Sequence, residues 1–413
     1  MSTRIYYTDP YRLEFDAIVN AVTPAPSAEG RWLVTLDQSA FYPTSGGQPF
    51  DVGILDNGEA TARVLDVSDD SGVVEHLTDA PLTVGQRVHG VIDAVRRHDH
   101  MQQHTGQHIL SAAFDRLLSV RTESFHLGAT SATIDLAREV TPAEIAKAED
   151  VANQIIWEDR PVTIRFVSPE EAAALKLRKE PKKEGELRLI DITDWDLSAC
   201  GGTHVARTGE VGIIAIKGWE RFKGASRVEF VCGVRALATF REQRDAIAGS
   251  VRLLSVLPPE LPAAIERSLN DSKDLRYQLR QATQKIAEHE AETLAAHATP
   301  IGKARCVIAA MDGYDAGTLK TLAISITREL GLVAALITST SPSAIVVTRS
   351  QDVALDSAAI LKAMTSRFGG KGGGKPEMAQ GGGLSGLPQD IVTALRDEVQ
   401  QALAPASTPA PRV

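Results

Sequence analysis

The sequence predicts a multidomain α+β protein, and three observations carry that expectation. Residues 1–90 hold short runs rich in Val, Leu and Ile, divided by turn residues. From residue 96 an apolar stripe of helical period takes over and then alternates with further strands. After a long charged helix, the C-terminal part returns to a short alternation of strands and helices. The 413 residues are 43 % hydrophobic and 23 % charged, an ordinary globular profile long enough for two or three domains.

The runs RWLVTLD, TARVLDV and RVHGVID, with Asp-Asn-Gly, Asp-Asp-Ser-Gly and Pro between them, suit a small barrel or sandwich. Between them, Phe41-Tyr42-Pro43-Thr44-Ser45-Gly46-Gly47-Gln48-Pro49 reads, taken alone, as a tight turn. In RRHDHMQQHTGQHILSAAFDRLLS the apolar positions 101, 109, 110, 113, 114, 117 and 118 form a helical stripe. SFHLG and SATIDL alternate like strands, and TIRFV reads as another. Thr141-Pro142-Ala143-Glu144 is a helix start, with Thr as N-cap, Pro at the first position and Glu closing a capping box. The polar segment from Lys176 to Lys183 reads as an exposed loop.

Pro258, Pro259 and Pro262 introduce a long helix on which Ile265, Leu269, Leu275, Leu279, Ala282 and Ile286 recur at three- and four-residue intervals. That pattern predicts an exposed arm or one limb of a coiled-coil hairpin. Strands near 305–310, 333–338 and 344–348, with helices near 315–330 and 356–367, predict a small α/β domain. The boundaries expected are 1–92, 93–248, 249–300 and 301–405, with 406–413 a disordered tail.

The N-terminus lacks the apolar core of a signal peptide, and no run is long enough to span a bilayer. Three scattered cysteines are too few for a disulfide framework, which predicts a reducing, cytoplasmic setting. The formal charge is −9, but residues 1–100 alone carry fifteen acids against seven Lys and Arg. Lys217, Arg221, Lys223, Arg227, Arg235, Arg241 and Arg244 lie in one segment that holds three acids. Such a stripe suits either phosphate binding or a solvated face.

The chemistry concentrates in HTGQHIL, where His104 and His108 stand one helical turn apart. An HxxxH pair alone is common on helix faces. Cys200-Gly201-Gly202-Thr203-His204 supplies a thiolate and an imidazole with the same spacing, on a turn made pliable by two glycines. Zinc takes Cys sulfur and His nitrogen together, usually four in a tetrahedron, so His104, His108, Cys200 and His204 are the expected ligands of one zinc ion per chain. Four protein ligands close such a site, whereas catalytic zinc keeps a position open. Either one ligand is loosely held, or the metal orients substrate while another group activates water. Cys232 and Cys306 lack partners and read as buried and inert.

HTGQHIL, CGGTHVARTGEVGIIAI and GASRVEFVCG resemble the editing domain of alanyl-tRNA synthetase and its free-standing relatives, the AlaX proteins. YPTSGGQPFDVG resembles the glycine-rich motif of the small barrel that precedes that domain. GGKGGGKP with MAQGGG resembles the synthetase's C-terminal domain. The resemblance covers nearly the whole chain in the synthetase's order, with neither a P-loop nor class II aminoacylation motifs. It implies a free-standing editing factor of the long AlaX type, with a β-barrel, a zinc-containing editing domain, a helical arm and a C-terminal tRNA-binding domain. The activity implied is hydrolysis of tRNA(Ala) mischarged with serine, and of its glycyl form; a non-catalytic tRNA-binding protein with a structural zinc is the alternative. Serine's hydroxyl is the expected handle, because sterics alone discriminate small side chains by only ~1–3 kcal/mol.

By the same resemblance, Ser124 or His126, on a strand that lines the amino-acid pocket, is a candidate contact to the seryl group, with a merely packed or exposed His126 as the alternative. Gly46, Gly47, Gln48, Arg221, Lys223, Arg227, Arg367, Lys371 and Lys375 are candidate tRNA contacts. Gly369–Lys375 reads as a phosphate-binding loop or as a flexible linker. A homodimer through the arm or the C-terminal domain is a further expectation, and no membrane partner is expected.

Overall fold

A computed structural model describes residues 2–26, 29–70, 72–178 and 185–404. The expected disordered tail and residues 179–183 of the lysine-rich loop lie outside them. The chain divides into two compact units, Met1–Ser250 and Val251–Val413.

The first unit opens with β1 (Thr3–Arg4), the single turn α1 (Ile5–Thr8), β2 (Glu14–Pro24), β3 (Trp32–Leu36) and β4 (Gln38–Ser39). It continues with β5 (Gly53–Asp56), β6 (Thr61–Asp70), β7 (Val73–Thr78) and β8 (Arg87–Ile92). Strands 2-3-7-6-5-8 close a barrel in that order. Alternation points Phe15, Ala17, Val34, Leu36, Val74 and Val88 inward, and bulges at Val19/Ala21 and Val64/Asp66 supply curvature. Of the two forms the strand pattern allows, barrel and sandwich, the chain adopts the barrel.

α2 (Ala94–Leu118) begins where Asp93 accepts the N–H of Arg96 and ends at Ser119 in the left-handed region. Every residue from His100 to Phe114 is buried, polar ones included. β9 (Thr122–Leu127), β10 (Ala132–Leu136), α3 (Pro142–Trp157), β11 (Val162–Val167) and α4 (Pro169–Ala174) follow. Thr141 and Glu144 form the expected capping box at the start of α3. β12 (Leu187–Ile192), β13 (Asp196–Ala199), β14 (Ile214–Phe222), β15 (Ala225–Cys232) and α5 (Gly233–Leu254) complete the series. One sheet has the order β14-β15-β10-β9, another β11-β12-β13. Arg97, buried in an ion pair with Asp51 and donating to Pro10 O and Ala40 O, ties α2 to the barrel.

The second unit starts in the last residues of α5 and contains α6 (Leu261–Ala296), β16 (Thr299–Ile301), β17 (Ala304–Met311), α7 (Ala316–Ile326) and β18 (Leu332–Thr338). β19 (Ser343–Arg349), α8 (Ser357–Phe368), β20 (Lys371–Lys375), β21 (Met378–Leu384) and α9 (Pro388–Leu403) follow. The sheet order is β16-β17-β18-β19-β21-β20. Both faces of β18 are buried: Val333, Ala335 and Ile337 meet one core, Leu332, Ala334 and Leu336 the other. Ala287, Ala291 and Ala295 form a stripe that seats the end of α6 on the second core. Its earlier turns expose Ile265, Leu269, Leu275, Leu279 and Ile286. No described helix is long and apolar enough to cross a membrane.

The Gly369–Lys375 expectation needs correction. Residues 371–375 are neither loop nor linker but the edge strand β20, paired antiparallel with β21. Glycine is what allows this: a Cβ on Gly374 would fall 2.3 Å from Ala379 Cα. The helix α5 has no counterpart in the sequence reading, which placed a domain boundary inside it.

Candidate metal centre and substrate cavity

α2 presents His104 and His108 one turn apart, and the turn after β13 brings Cys200 and His204 against them. One ligand atom from each of the four lies within 4.8 Å of all the others. Cys200 Sγ is 3.4 Å from both His104 Nε2 and His204 Nε2. Tetrahedral zinc with ordinary Zn–N and Zn–S bonds separates its sulfur and nitrogen ligands by about 3.5 Å, so the donor set fits such an ion. Gly202 is obligatory here, since a Cβ on it would lie 2.1 Å from the His104 ring.

Each imidazole is oriented through its other nitrogen. His104 Nδ1 faces Gln48 Oε1 at 2.8 Å, His108 Nδ1 faces Asp196 Oδ2 at 2.9 Å, and His204 Nδ1 lies 3.1 Å from Thr105 Oγ1. Gln48 Oε1 already accepts the Thr203 N–H while Gln48 Nε2 donates to Thr203 Oγ1, so it can only accept from His104. The amide and the carboxylate put the imidazole protons of His104 and His108 on Nδ1 and leave Nε2 free as ligand. Arg178 holds Asp196 in turn, at 2.6 and 3.1 Å.

Electrostatics support the same assignment. Burial pushes the Cys200 thiol up, but His104 and the hydrogen bonds from His104 and His108 outweigh it and hold the group well below its usual range. Burial drives His204 down to about 3, which keeps it neutral. For His108, burial is outweighed by Asp196 and Cys200, and its pKa rises. Cys232 and Cys306 are buried, and burial pushes both thiols up, Cys306 to about 11.

A cavity of about 610 Å³ opens beside the cluster. Gln107, Thr122, Ser124 and Phe125 line one wall; Tyr7, Arg188 and Ser198 are among the residues of the rest. Thr122 and Gln107 went unnoticed in the sequence. A β-bulge where β9 pairs with Asp135 and Leu136 breaks the alternation. Thr122 Oγ1 and Gln107 Nε2 both donate to Ser111 Oγ at 2.8 Å.

The other expected site residues are placed as follows. Ser124 lines the cavity, but its hydroxyl donates to Asp135 at 2.6 Å. His126 is exposed and is not among the cavity-lining residues, whereas Phe125 lies against His104 with ring centroids 5.3 Å apart. Of the two candidates only Ser124 lines the cavity, and His126 takes the exposed alternative. Gln48 is corrected: fully buried beneath His104, it is out of reach of any nucleic acid. Gly47 O accepts the Leu127 N–H, and Gly46 is exposed at the cavity rim.

The basic stripe is largely neutralised. Arg227 forms two hydrogen bonds to Asp135, Arg221 pairs with Glu139, Arg235 with Asp99, Lys217 with Glu229 and Arg244 with Asp245. Lys223 has no carboxylate partner among the described residues and lies over the Phe222 ring. Arg367 stacks on Phe368, and Lys371 and Lys375 are exposed at the two ends of β20.

Comparison with known proteins follows this division. The family model described as tRNA synthetases class II (A) matches residues 15–96, which is the barrel and the start of α2. The Threonyl and Alanyl tRNA synthetase second additional domain matches residues 187–229, and the DHHA1 domain matches residues 303–404. The alanine–tRNA ligases of Natronomonas pharaonis and Pyrococcus abyssi are 34% and 32% identical, over 92% and 91% of this chain. The chain spans only 42% and 41% of those ligases. The alanyl-tRNA editing protein AlaX-L of Pyrococcus horikoshii is 31% identical over 98% of this chain and 100% of its own length. With both lengths accounted for, the chain belongs to the family of the alanyl-tRNA editing protein AlaX-L.

Proposed function

We propose that the protein is a trans-editing deacylase that hydrolyses the ester of tRNA(Ala) mischarged with serine, with the glycyl ester as a second substrate. The observation that carries this reading is the His₃Cys cluster opening on a cavity whose wall holds fixed hydrogen-bond acceptors. Thr122 and Gln107 both donate to Ser111, so Thr122 Oγ1 and Gln107 Oε1 keep acceptor capacity beside the cavity. A seryl hydroxyl can satisfy them; an alanyl methyl leaves them unpaired, which is the discrimination that polar sites achieve well.

We assign the metal as zinc, one per chain, held by His104, His108, Cys200 and His204. When bound, it supplies a Lewis acid that orients or polarises the ester. The chain itself fixes the imidazole tautomers through Gln48 and Asp196 and frames the aminoacyl group with Gln107 and Thr122. A closed four-ligand set also suits a second reading, a non-catalytic tRNA-binding protein with structural zinc.

In this proposal the second unit captures tRNA through Arg367, Lys371 and Lys375, with Gly46, Gly47 and Lys223 as lesser contacts. The apolar residues exposed on α6 are the proposed dimer contact, and a cytoplasmic setting accompanies the role in translation.

Incubation of the protein with seryl-, glycyl- and alanyl-tRNA(Ala) tests the reading. Seryl-tRNA(Ala) is expected to lose its amino acid at least tenfold faster than alanyl-tRNA(Ala). Hydrolysis of none of them would establish the non-catalytic reading, and equal rates would defeat the role of the hydroxyl.

A further inference from the structure

Tyr7 lies in α1, ahead of every family-model match, yet it lines the cavity beside the cluster. Its position is set from several sides. Arg188 Nε donates to Tyr7 O at 2.9 Å, and Arg188 Nη1 donates to Cys200 O at 2.6 Å. One guanidinium thus spans from the backbone of Tyr7 to the backbone of a metal-ligand candidate and fixes the distance between them. The Tyr7 ring makes an edge contact with Tyr6, centroids 4.9 Å apart, and the Arg4 and Arg188 guanidinium carbons lie 5.9 and 5.7 Å from its centre. Arg188 is nine-tenths buried, without a carboxylate within 4.0 Å among the described residues, and its Nη2 has no hydrogen-bond partner. A buried cation so poorly compensated is costly to keep and is best explained by what it positions.

The cavity is also larger than one amino acid requires, since sites of a few hundred Å³ enclose ligands of nucleoside size. We propose that Tyr7 is the stacking platform for the 3′-terminal adenine of the substrate tRNA, and that Arg188 is the positioning residue that holds this platform at a fixed distance from the cluster. The inference rests on the deacylase reading and adds the seat of the nucleoside. An aminoacyl ester joins a small amino acid to a ribose bearing a purine, so a site that cleaves it must hold something on each side of the ester. Gln107 and Thr122 face the amino acid; Tyr7 takes the base. Stacking on an aromatic ring tolerates any base and requires a rigid ring, which the contacts with Tyr6 and Arg188 provide.

The test compares two small substrates on the intact protein, 3′-O-seryl-adenosine and seryl methyl ester. The wild type is expected to prefer the adenosine ester in kcat/KM. Tyr7→Leu is expected to shrink that preference by about tenfold or more, and Tyr7→Phe to keep it. Arg188→Gln, with zinc content measured in parallel, is expected to shrink it as well. An equal fall on both esters in Tyr7→Leu, or no preference in the wild type, would overturn the platform. Saturation-transfer NMR with adenosine monophosphate reads the seat without any hydrolysis. Transfer to the base protons in the wild type and Tyr7→Phe, and its loss in Tyr7→Leu, supports the proposal; equal transfer in all three, or none in the wild type, refutes it. If neither ester is hydrolysed while transfer is seen, the deacylase reading has failed and the nucleoside seat stands.

Discussion

His76 in the barrel and His104 on α2 are both imidazoles sealed from solvent, and each has Nδ1 beside an oxygen acceptor. They differ at the other nitrogen. His76 Nε2 is taken up by Ser39 Oγ at 2.8 Å, while His104 Nε2 faces Cys200 Sγ among three further ligand candidates. Burial and a partnered ring therefore do not make a metal ligand. What marks the α2 histidines is that protein acceptors engage Nδ1 and leave Nε2 atoms converging on a thiolate. The barrel histidine is a satisfied core residue, and the α2 pair is an assembled site.

The largest effect expected from this contrast is at the thiolate. Cys200→Ala should remove zinc and lower deacylation by ~10²-fold or more, measured by metal analysis and single-turnover kinetics, whereas His76→Phe should leave the zinc content at one per chain. Next comes the orienting shell: Gln48→Leu keeps the bulk but takes the acceptor from His104. It is expected to weaken zinc affinity by about 10–100-fold in a chelator competition. Unchanged affinity would mean that the tautomer is set elsewhere.

The barrel histidine has its own signature in pH. Burial holds His76 at about 4, below its ordinary 6.5, so the unfolded chain binds a proton more readily than the folded one. The stability due to a neutral His76 is complete above pH 6.5 and is lost as pH falls through about 4. Between pH 7 and 5 this amounts to roughly 2 kcal/mol. Urea unfolding of the wild type and His76→Phe should show a shallower acid decline in the variant; parallel curves would place the sensitivity elsewhere. An effect of similar size is expected for Ser39→Ala, which leaves His76 Nε2 without its hydroxyl partner and costs about 1–3 kcal/mol in urea unfolding. No second zinc should bind, because among the described residues His76 belongs to no group of three or more potential ligands. Extra metal in that variant would break the comparison.

The sequence showed the candidate ligands and hid what supports them. His104, His108, Cys200 and His204 were legible because zinc demands those residue types and their spacing is local in pairs. Gln48, Thr105 and Asp196 were not, since each acts across the fold on a histidine 56, 99 and 88 positions away respectively. The glycine-rich segments show the same limit. The family resemblance invited an RNA-binding reading of Gly46–Gln48, and glycine and lysine content one of Gly369–Lys375, but Gln48 folds inward under His104 while Lys371–Lys375 forms a sheet edge. Glycine signals close backbone approach without saying to what. The bulge in β9 could not be seen in SFHLG, and it alters which side chains face the cavity. The charged stripe from Lys217 to Arg244 misled because its carboxylate partners Asp99, Asp135 and Glu139 are distant in sequence.

The central claim, that the α2–Cys200 cluster makes this cavity a metal-dependent seryl-ester hydrolase, is tested most directly by deacylation against occupancy. Metal-free protein is titrated with zinc, and the single-turnover rate on seryl-tRNA(Ala) is followed alongside bound metal. The rate should rise in proportion to bound zinc and level off at one ion per chain. Full activity in demonstrably zinc-free, folded protein would contradict it.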